Sequence, residues 1–409
     1  MSLGLFAAAV AVRLVALAIL GLQPQRYEYE QQALSLLAGE GYQRIQLGTP
    51  HFAQGPPLYG FLCAGLYGIF GHHPLPVILV QIAASSLISV MIARIAVELG
   101  LDRRLRWVAA APAVLHPGLV VYAVHKLHPL SFDALFLALT VLALLRLAPV
   151  AAVGAYGRAG IVLGVATLTR PTLAAFALPA ALWLSWIVPP NRRRLAVAGV
   201  AVFLGAATLV VLPWTLRNYV VLHRFVFITT DTAELFWRGN NPIATGSALL
   251  LSGRPVFAGA PEAFRREILT RDELGQADLF REASRAYMHE QPASFATGVV
   301  RKFASFWWFP STAGLTYPGA WLVVYRLFYG ALLVAAGLGA VYFWQRADRV
   351  GRQRLVLVLA VLASLSTAQS LFYVEVRHRW AVEPLLGIFL AAAVGRWLPA
   401  ADSRTRASS

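Results

Sequence analysis

Only 19 of the 409 residues are Asp or Glu, so the position of each carboxylate is informative. Glu28 lies between Tyr27 and Tyr29 at the head of an amphipathic stretch. A carboxylate there can accept a proton from a hydroxyl near a bilayer surface. It is also the one convincing ligand for a divalent metal, which makes such an ion a candidate cofactor and no more. Glu30 is two residues on and points elsewhere on a helix, so the two carboxylates do not form one paired site. The alternative for both is the solvated face of an interfacial helix. His125, Lys126 and His128 form a polar turn between two apolar runs, and Asp133 follows one turn later. An ionisable side chain inside an apolar run is a functional candidate, the alternative being a pair with Lys126 or Arg170. Arg170, Arg217, Arg377 and Arg379 stand at the ends of apolar runs. Guanidinium groups grip phosphate bidentately, so an anionic ligand is one reason for them. Internal ion pairing is the other, with Glu375 and Glu383 at hand. Adjacent His72 and His73 make a poor chelate. Gly239-Asn240-Asn241-Pro242 reads as a tight turn rather than a phosphate loop, since no Lys and no Ser/Thr follow it in order. The single Cys63 excludes a disulfide within the chain and any CxxC motif.

These groups sit in a chain that is 58% apolar and only 13% charged, with mean hydropathy +0.63. Such a balance excludes an ordinary soluble enzyme and a disordered protein, and predicts an all-α polytopic membrane protein. Ten runs are read as spans: 3–22, 74–99, 107–124, 129–149, 158–170, 172–188, 195–213, 318–343, 355–373 and 382–399. The first is followed by no A-x-A-like cleavage site and is read as retained. Between them lie 23–73, with an amphipathic helix over 23–40 and an interfacial or re-entrant helix over 58–70, and 214–317, with a helix over 263–290 that Pro292 stops. The net charge of +16 is almost all arginine, which excludes no nucleic-acid contact by itself but falls in short loops between spans. With the N-terminus cytoplasmic, the dense clusters 102–106, 192–194, 346–354 and the tail 400–409 all fall inside, as the positive-inside bias requires. The same parity puts 23–73 and 214–317 outside. The expected organisation is therefore an N-terminal membrane module over 1–213, an external region over 214–317, C-terminal spans over 318–399 and a cytoplasmic tail.

The order Tyr27-Glu28-Tyr29, Pro56-Pro57-Leu58-Tyr59, Leu168-Thr169-Arg170-Pro171, Pro213-Trp214-Thr215-Leu216-Arg217-Asn218, Gly239-Asn240-Asn241-Pro242 and Arg377-His378-Arg379 resembles the GT-C glycosyltransferases of the family-39 type. These are the relatives of protein O-mannosyltransferases and of the lipid A aminoarabinose transferase. The resemblance implies a transferase at the outer face of the plasma membrane. It implies a polyprenyl-phosphate sugar as donor and an external lipid, glycan or protein as acceptor, with no nucleic-acid partner. A carboxylate of the first external segment would serve as base or metal ligand, and arginines would hold the lipid phosphate. On this reading Glu28 is the base, with His128 or Glu30 assisting, and Arg170, Arg217, Arg377 and Arg379 are candidates for the phosphate. The sequence departs from the family pattern at Gln25, where Asp is usual, at Gly55, where Arg or Lys is usual, and at His128, where an acid is usual. A catalytically silent homologue that binds lipid-linked sugar is the first alternative. A secondary transporter is the second, and it would need an inverted repeat that the chain lacks.

Overall fold

The computed structural model describes residues 2–147 and 152–397. The far ends of the expected spans 129–149 and 382–399, the start of the 150–157 connection and the tail 400–409 lie outside these residues. Apolar helices dominate: α1 (Ser2–Leu20), the short α2 (Glu28–Leu37), α3 (Pro57–Phe70), α4 (Pro74–Glu98), α5 (Arg106–Leu115), α6 (Pro117–His125), α7 (Leu130–Leu145), α8 (Val153–Thr169), α9 (Ala177–Ile187) and α10 (Arg193–Leu222). A polar group follows: α11 (Thr232–Gly239), α12 (Glu262–Leu269), α13 (Glu273–Glu290), α14 (Pro292–Trp307) and α15 (Ala313–Thr316). Then come α16 (Gly319–Arg346), α17 (Arg349–Ser370) and α18 (Leu386–Gly395). Within the described residues every expected span is largely helical. Among the described residues, five helices are long and apolar enough to cross a bilayer, six if α5 and α6 count as one bent span. Five further apolar helices are 10–17 residues long, shorter than a straight crossing needs, so the count of ten is not established by length.

Close helix packing follows from small residues. A Cβ on Gly160 would lie 2.1 Å from the Phe203 carbonyl oxygen, and one on Gly164 2.8 Å from that of Ala207. Glycine at both sites lets α8 lie against the backbone of α10, the usual way helices associate where lipid offers no hydrophobic drive. The bend of 51° between α5 and α6 falls at Pro117, which has no N–H to give to the Ala113 carbonyl. Arg13 of α1 supplies the missing donors. Its guanidinium, fully buried, bonds the carbonyls of Ala113 (3.1 Å) and Val114 (3.2 Å) and Ser85 Oγ (2.8 Å).

The polar segments meet at one end of the bundle. A hairpin pairs β1 (Arg44–Gln46) with β2 (Thr49–His51). Leu47 and Gly48 both have positive φ, 45° and 84°, as a two-residue I′ turn demands. From there Phe52 and Ala53 donate their N–H groups to the Glu273 carboxylate at 2.6 and 3.0 Å, and Thr230 N–H reaches the Ala53 carbonyl at 2.9 Å. The segment after α1 and the segment after α10 therefore share one end. The opposite end gathers Arg146 on Glu98 (2.8 Å), Trp183 on the Gln353 carbonyl (2.7 Å), and Arg354 on the Glu98 carbonyl.

Three local expectations change. The helix expected over 23–40 begins only at Glu28, because Gln25 is held extended by backbone bonds to His125 and Leu127 (2.8 and 3.0 Å). The helix expected over 263–290 is two, broken where Asp272 caps α13 by accepting from Gly275 N–H at 2.8 Å. Pro292 ends that helix but also opens α14, taking the first-turn position where its missing N–H costs nothing.

Candidate active site

The end that carries the polar segments contains a cavity of ≈ 720 Å³. Glu28, His128, Asp133, Arg170, Asp231 and Arg377 line it, and Arg44, Glu234, Arg238 and Gln369 complete its polar wall. Six separate stretches of chain contribute, so the site exists only in the folded protein.

Glu28 is the first residue of α2. Its carboxylate is half-buried and makes no hydrogen bond or ion pair with any described residue. His128 sits in the turn between α6 and α7. Its Nδ1 accepts from Leu130 N–H at 3.2 Å and its ring is flanked by Tyr27 and Tyr122, centroids 5.3 Å away. Burial, with Arg377, Arg170 and Lys126 adding repulsion, holds its pKa well below the usual imidazole value. His128 is therefore neutral at pH 7, and with Nδ1 accepting, the proton is assigned to Nε2. It presents a donor to the cavity rather than a base.

Arg170 is the residue after α8. Pro171 disfavours helical φ/ψ for its predecessor, and Arg170 is extended at φ −151°. Its Nε donates to Thr172 Oγ1 at 3.0 Å and its Nη2 to Gln369 Oε1 at 2.8 Å, so neutral partners fix it without cancelling its charge. Arg377 stands in the tight turn Val376–Arg379, where Glu375 and His378 cap one another. Its Nη2 is 2.9 Å from Glu375. Asp133 is buried and in no ion pair with a described residue, and one of its oxygens lacks a partner. The expected pair with Lys126 does not form, because the Lys126 ammonium goes to Gln25 Oε1.

Three expected site residues lie outside this cavity. Glu30 points away, as its two-residue spacing from Glu28 requires. One of its oxygens takes Arg26 (3.1 Å), His72 (2.9 Å) and the Tyr67 hydroxyl (3.1 Å). Arg217 stacks on Trp214, 4.8 Å from the ring centroid, and donates to the carbonyls of Phe52 and Tyr42 (2.5 and 3.1 Å). Its role is to hold the first polar segment onto α10. Arg217→Ala is expected to lower the melting temperature while leaving donor affinity within about twofold, since no cavity contact is lost; a titration with donor on both proteins checks it. Arg379 is buried on Glu383 (3.2 Å) and against the rings of Phe309 and Tyr329. Here internal pairing, not ligand binding, explains the charge. As for a metal, no three His, Cys, Asp or Glu side chains converge to hold one among the described residues.

Sequence reading missed Asp231, Arg44 and Arg238. Asp231 accepts the Thr229 hydroxyl and closes the turn before α11. Burial raises its pKa to about 6, Thr229 opposing and Glu234 adding to the rise. The native state thus holds a proton that the unfolded chain loses near pH 4. Relative to Asp231→Asn, the wild type is expected to lose stability as pH rises from about 4 to about 6 and to change no further above that. Melting curves of both proteins across that range test it; parallel curves would contradict the shift.

This helical bundle with one polar, cavity-bearing end has the GT-C fold. The chain is similar to the oligosaccharyltransferase of Archaeoglobus fulgidus, solved with a tethered acceptor peptide, at a TM-score of 0.57 and 15% identity. That match covers 96% of this chain and 49% of the other, so the chain spans about half the length of that relative. Residues 54–216 match the family described as dolichyl-phosphate-mannose-protein mannosyltransferase. ArnT from Cupriavidus metallidurans is also similar, both bound to undecaprenyl phosphate (16% identity, TM-score 0.39) and in the apo state (17%, 0.37), each over 96% of this chain and 77% of the other. No curated protein matches the sequence.

Proposed function

We propose that the protein transfers a sugar from a polyprenyl-phosphate donor to a hydroxyl-bearing acceptor, at the outer face of the plasma membrane. One observation carries the reading: a carboxylate with no partner among the described residues, Glu28, shares a cavity at the polar end of the bundle with Arg170 and Arg377. In the transfer, the bond between the anomeric carbon and the phosphate oxygen breaks, and its electron pair leaves with the phosphate. Arg170 and Arg377 offset the charge that develops there. The acceptor oxygen attacks the opposite face of that carbon, and its proton passes to Glu28, so configuration inverts. His128 Nε2–H is suited to donate to a sugar or phosphate oxygen. A cavity lined by neutral as well as charged groups also fits a sugar, whose hydroxyls need partners when water is excluded. The arginine-rich opposite end then faces the cytoplasm.

The test uses the full chain in lipid nanodiscs with radiolabelled polyprenyl-phosphate sugars. Binding with release of free polyprenyl phosphate in the presence of a membrane extract supports the proposal, and Arg377→Ala should weaken donor binding by about tenfold or more, the loss of one charge-assisted contact. Binding without turnover would favour the silent homologue, and no binding of any such donor would overturn the reading.

A further inference from the structure

The turn Gly239-Asn240-Asn241-Pro242 closes α11, and its asparagines serve the helix end. Asn240 Nδ2 donates to the Phe236 carbonyl and Asn241 Nδ2 to the Trp237 carbonyl, both at 2.7 Å. These are two of the acceptors that a helix C-terminus leaves open. Asn240 Nδ2 also reaches the Leu371 carbonyl, at 2.7 Å. That second bond ties α11 to segment 371–374, which leaves α17. The two backbones touch there: a Cβ on Gly239 would lie 2.5 Å from the Phe372 carbonyl oxygen. Against the same turn stands Lys302 of α14, fully buried. Its ammonium donates to Asn240 Oδ1 at 2.6 Å and to the Gly239 carbonyl at 3.1 Å. Both acceptors are neutral, and the charge sits at the negative end of the α11 dipole. A buried ammonium is costly, so its place here calls for a use.

We infer that Lys302 is a positioning residue for the donor site. It holds the Asn240 side chain so that the amide spans from α11 to segment 371–374, and it lies outside the cavity itself. What that segment carries reaches the site. Gln369, just before it, donates to the Tyr373 carbonyl and accepts from Arg170, each at 2.8 Å. The Tyr373 ring lies under the Arg238 guanidinium, 5.0 Å from its centroid, and Val374 N–H goes to the Gly246 carbonyl at 2.8 Å. Arg377 follows in the next turn. Lys302 therefore sets the spacing between Glu234 and Arg238 on α11 and the two guanidinium groups assigned to the donor phosphate. The donor role rests on the transferase reading above; the clasp between α14, α11 and segment 371–374 does not.

Two measurements on the full chain in lipid nanodiscs test this: amide hydrogen exchange read by mass spectrometry, and titration with a radiolabelled polyprenyl-phosphate sugar. Lys302→Met keeps most of the stem and removes the donor. Exchange across 371–379 is expected to rise about tenfold, because the segment loses a tie to α11, and donor affinity to fall about tenfold. Arg217→Ala is the control for lost stability, since its bonds go to the Phe52 and Tyr42 carbonyls instead. It should lower the melting temperature yet leave exchange across 371–379 and donor affinity within about twofold of wild type. Asn240→Asp is read in place of Lys302→Met if that variant does not fold. The carboxylate still accepts from Lys302 but has no amide to give to the Leu371 carbonyl, so the same two changes are expected. Unchanged exchange across 371–379 in the folded variant, or a donor affinity no lower than that of Arg217→Ala, would overturn the inference. If the wild type binds no such donor, the transferase reading falls, and exchange alone decides for or against the clasp.

Discussion

Glu28→Gln is expected to lower sugar transfer by about 10²–10⁴-fold, the range general base catalysis supplies, with no change in fold or donor binding. The variant keeps the size and the apolar stem of the side chain and removes only the ability to take a proton. Its neutrality toward stability follows from the structure. The wild-type carboxylate has no partner among the described residues, so an amide there strands nothing. That distinguishes Glu28 from the other carboxylates at this end. Glu30 carries three donors, Glu273 clamps two backbone amides, and Glu234 is paired with Arg238 at 2.6 Å. Turnover with the labelled donor and a melting curve on the same preparation decide the matter. Full activity in Glu28→Gln would move the base elsewhere, and Asp231, half ionised near pH 6, would be the first to try with Asp231→Asn.

A residue's place at this end of the bundle is legible in sequence where its neighbours in the chain also set its surroundings. Glu28 opens an amphipathic helix, Arg170 precedes a proline, and Arg377 lies between two spans; each local signal carries its own position at a membrane end. It is not legible where the partner is distant. Arg217 and Arg379 look as exposed as Arg170 in sequence, yet one is used by the Phe52 and Tyr42 carbonyls and the other by Glu383. Nothing in a one-dimensional pattern says which carbonyl will lack a donor. Asp231 was missed for a related reason. Among Thr229, Thr230 and Thr232 it reads as an ordinary turn, and only the docking of that turn beside Glu28 and Arg44 makes it part of a cavity. The fold was legible because apolar runs announce themselves. The number of crossings was less so, since helices of 10–17 residues such as α7, α8 and α9 are apolar enough to lie in a bilayer without being long enough to define a span.

Glu383→Ala is expected to cost on the order of 3–5 kcal/mol of stability, the penalty for leaving a buried charge without its partner. The carboxylate is fully buried and joins four elements. One oxygen faces His116 Nε2 at 3.2 Å, at the break between α5 and α6. The other accepts from the Tyr325 hydroxyl of α16 (2.6 Å) and from Arg379 Nε (3.2 Å), while Trp380 donates to that same hydroxyl at 2.6 Å. Removing Glu383 strands Arg379 among aromatic rings, where the Tyr325 hydroxyl and the Phe306 and Trp308 carbonyls remain as neutral acceptors. Glu383→Gln should be milder, since the amide oxygen still accepts from Tyr325. Replacing both charges, with Arg379→Met and Glu383→Leu, should recover much of the loss, because a well-packed apolar pair often equals a buried ion pair. The same set of proteins separates stability from binding. Arg377 is two residues before Arg379 in one tight turn, so a variant that melts early yet binds donor normally would show that this cluster supports the bundle alone. Reduced donor affinity in Glu383→Ala, restored in the apolar pair, would show that the buried network also sets the position of Arg377.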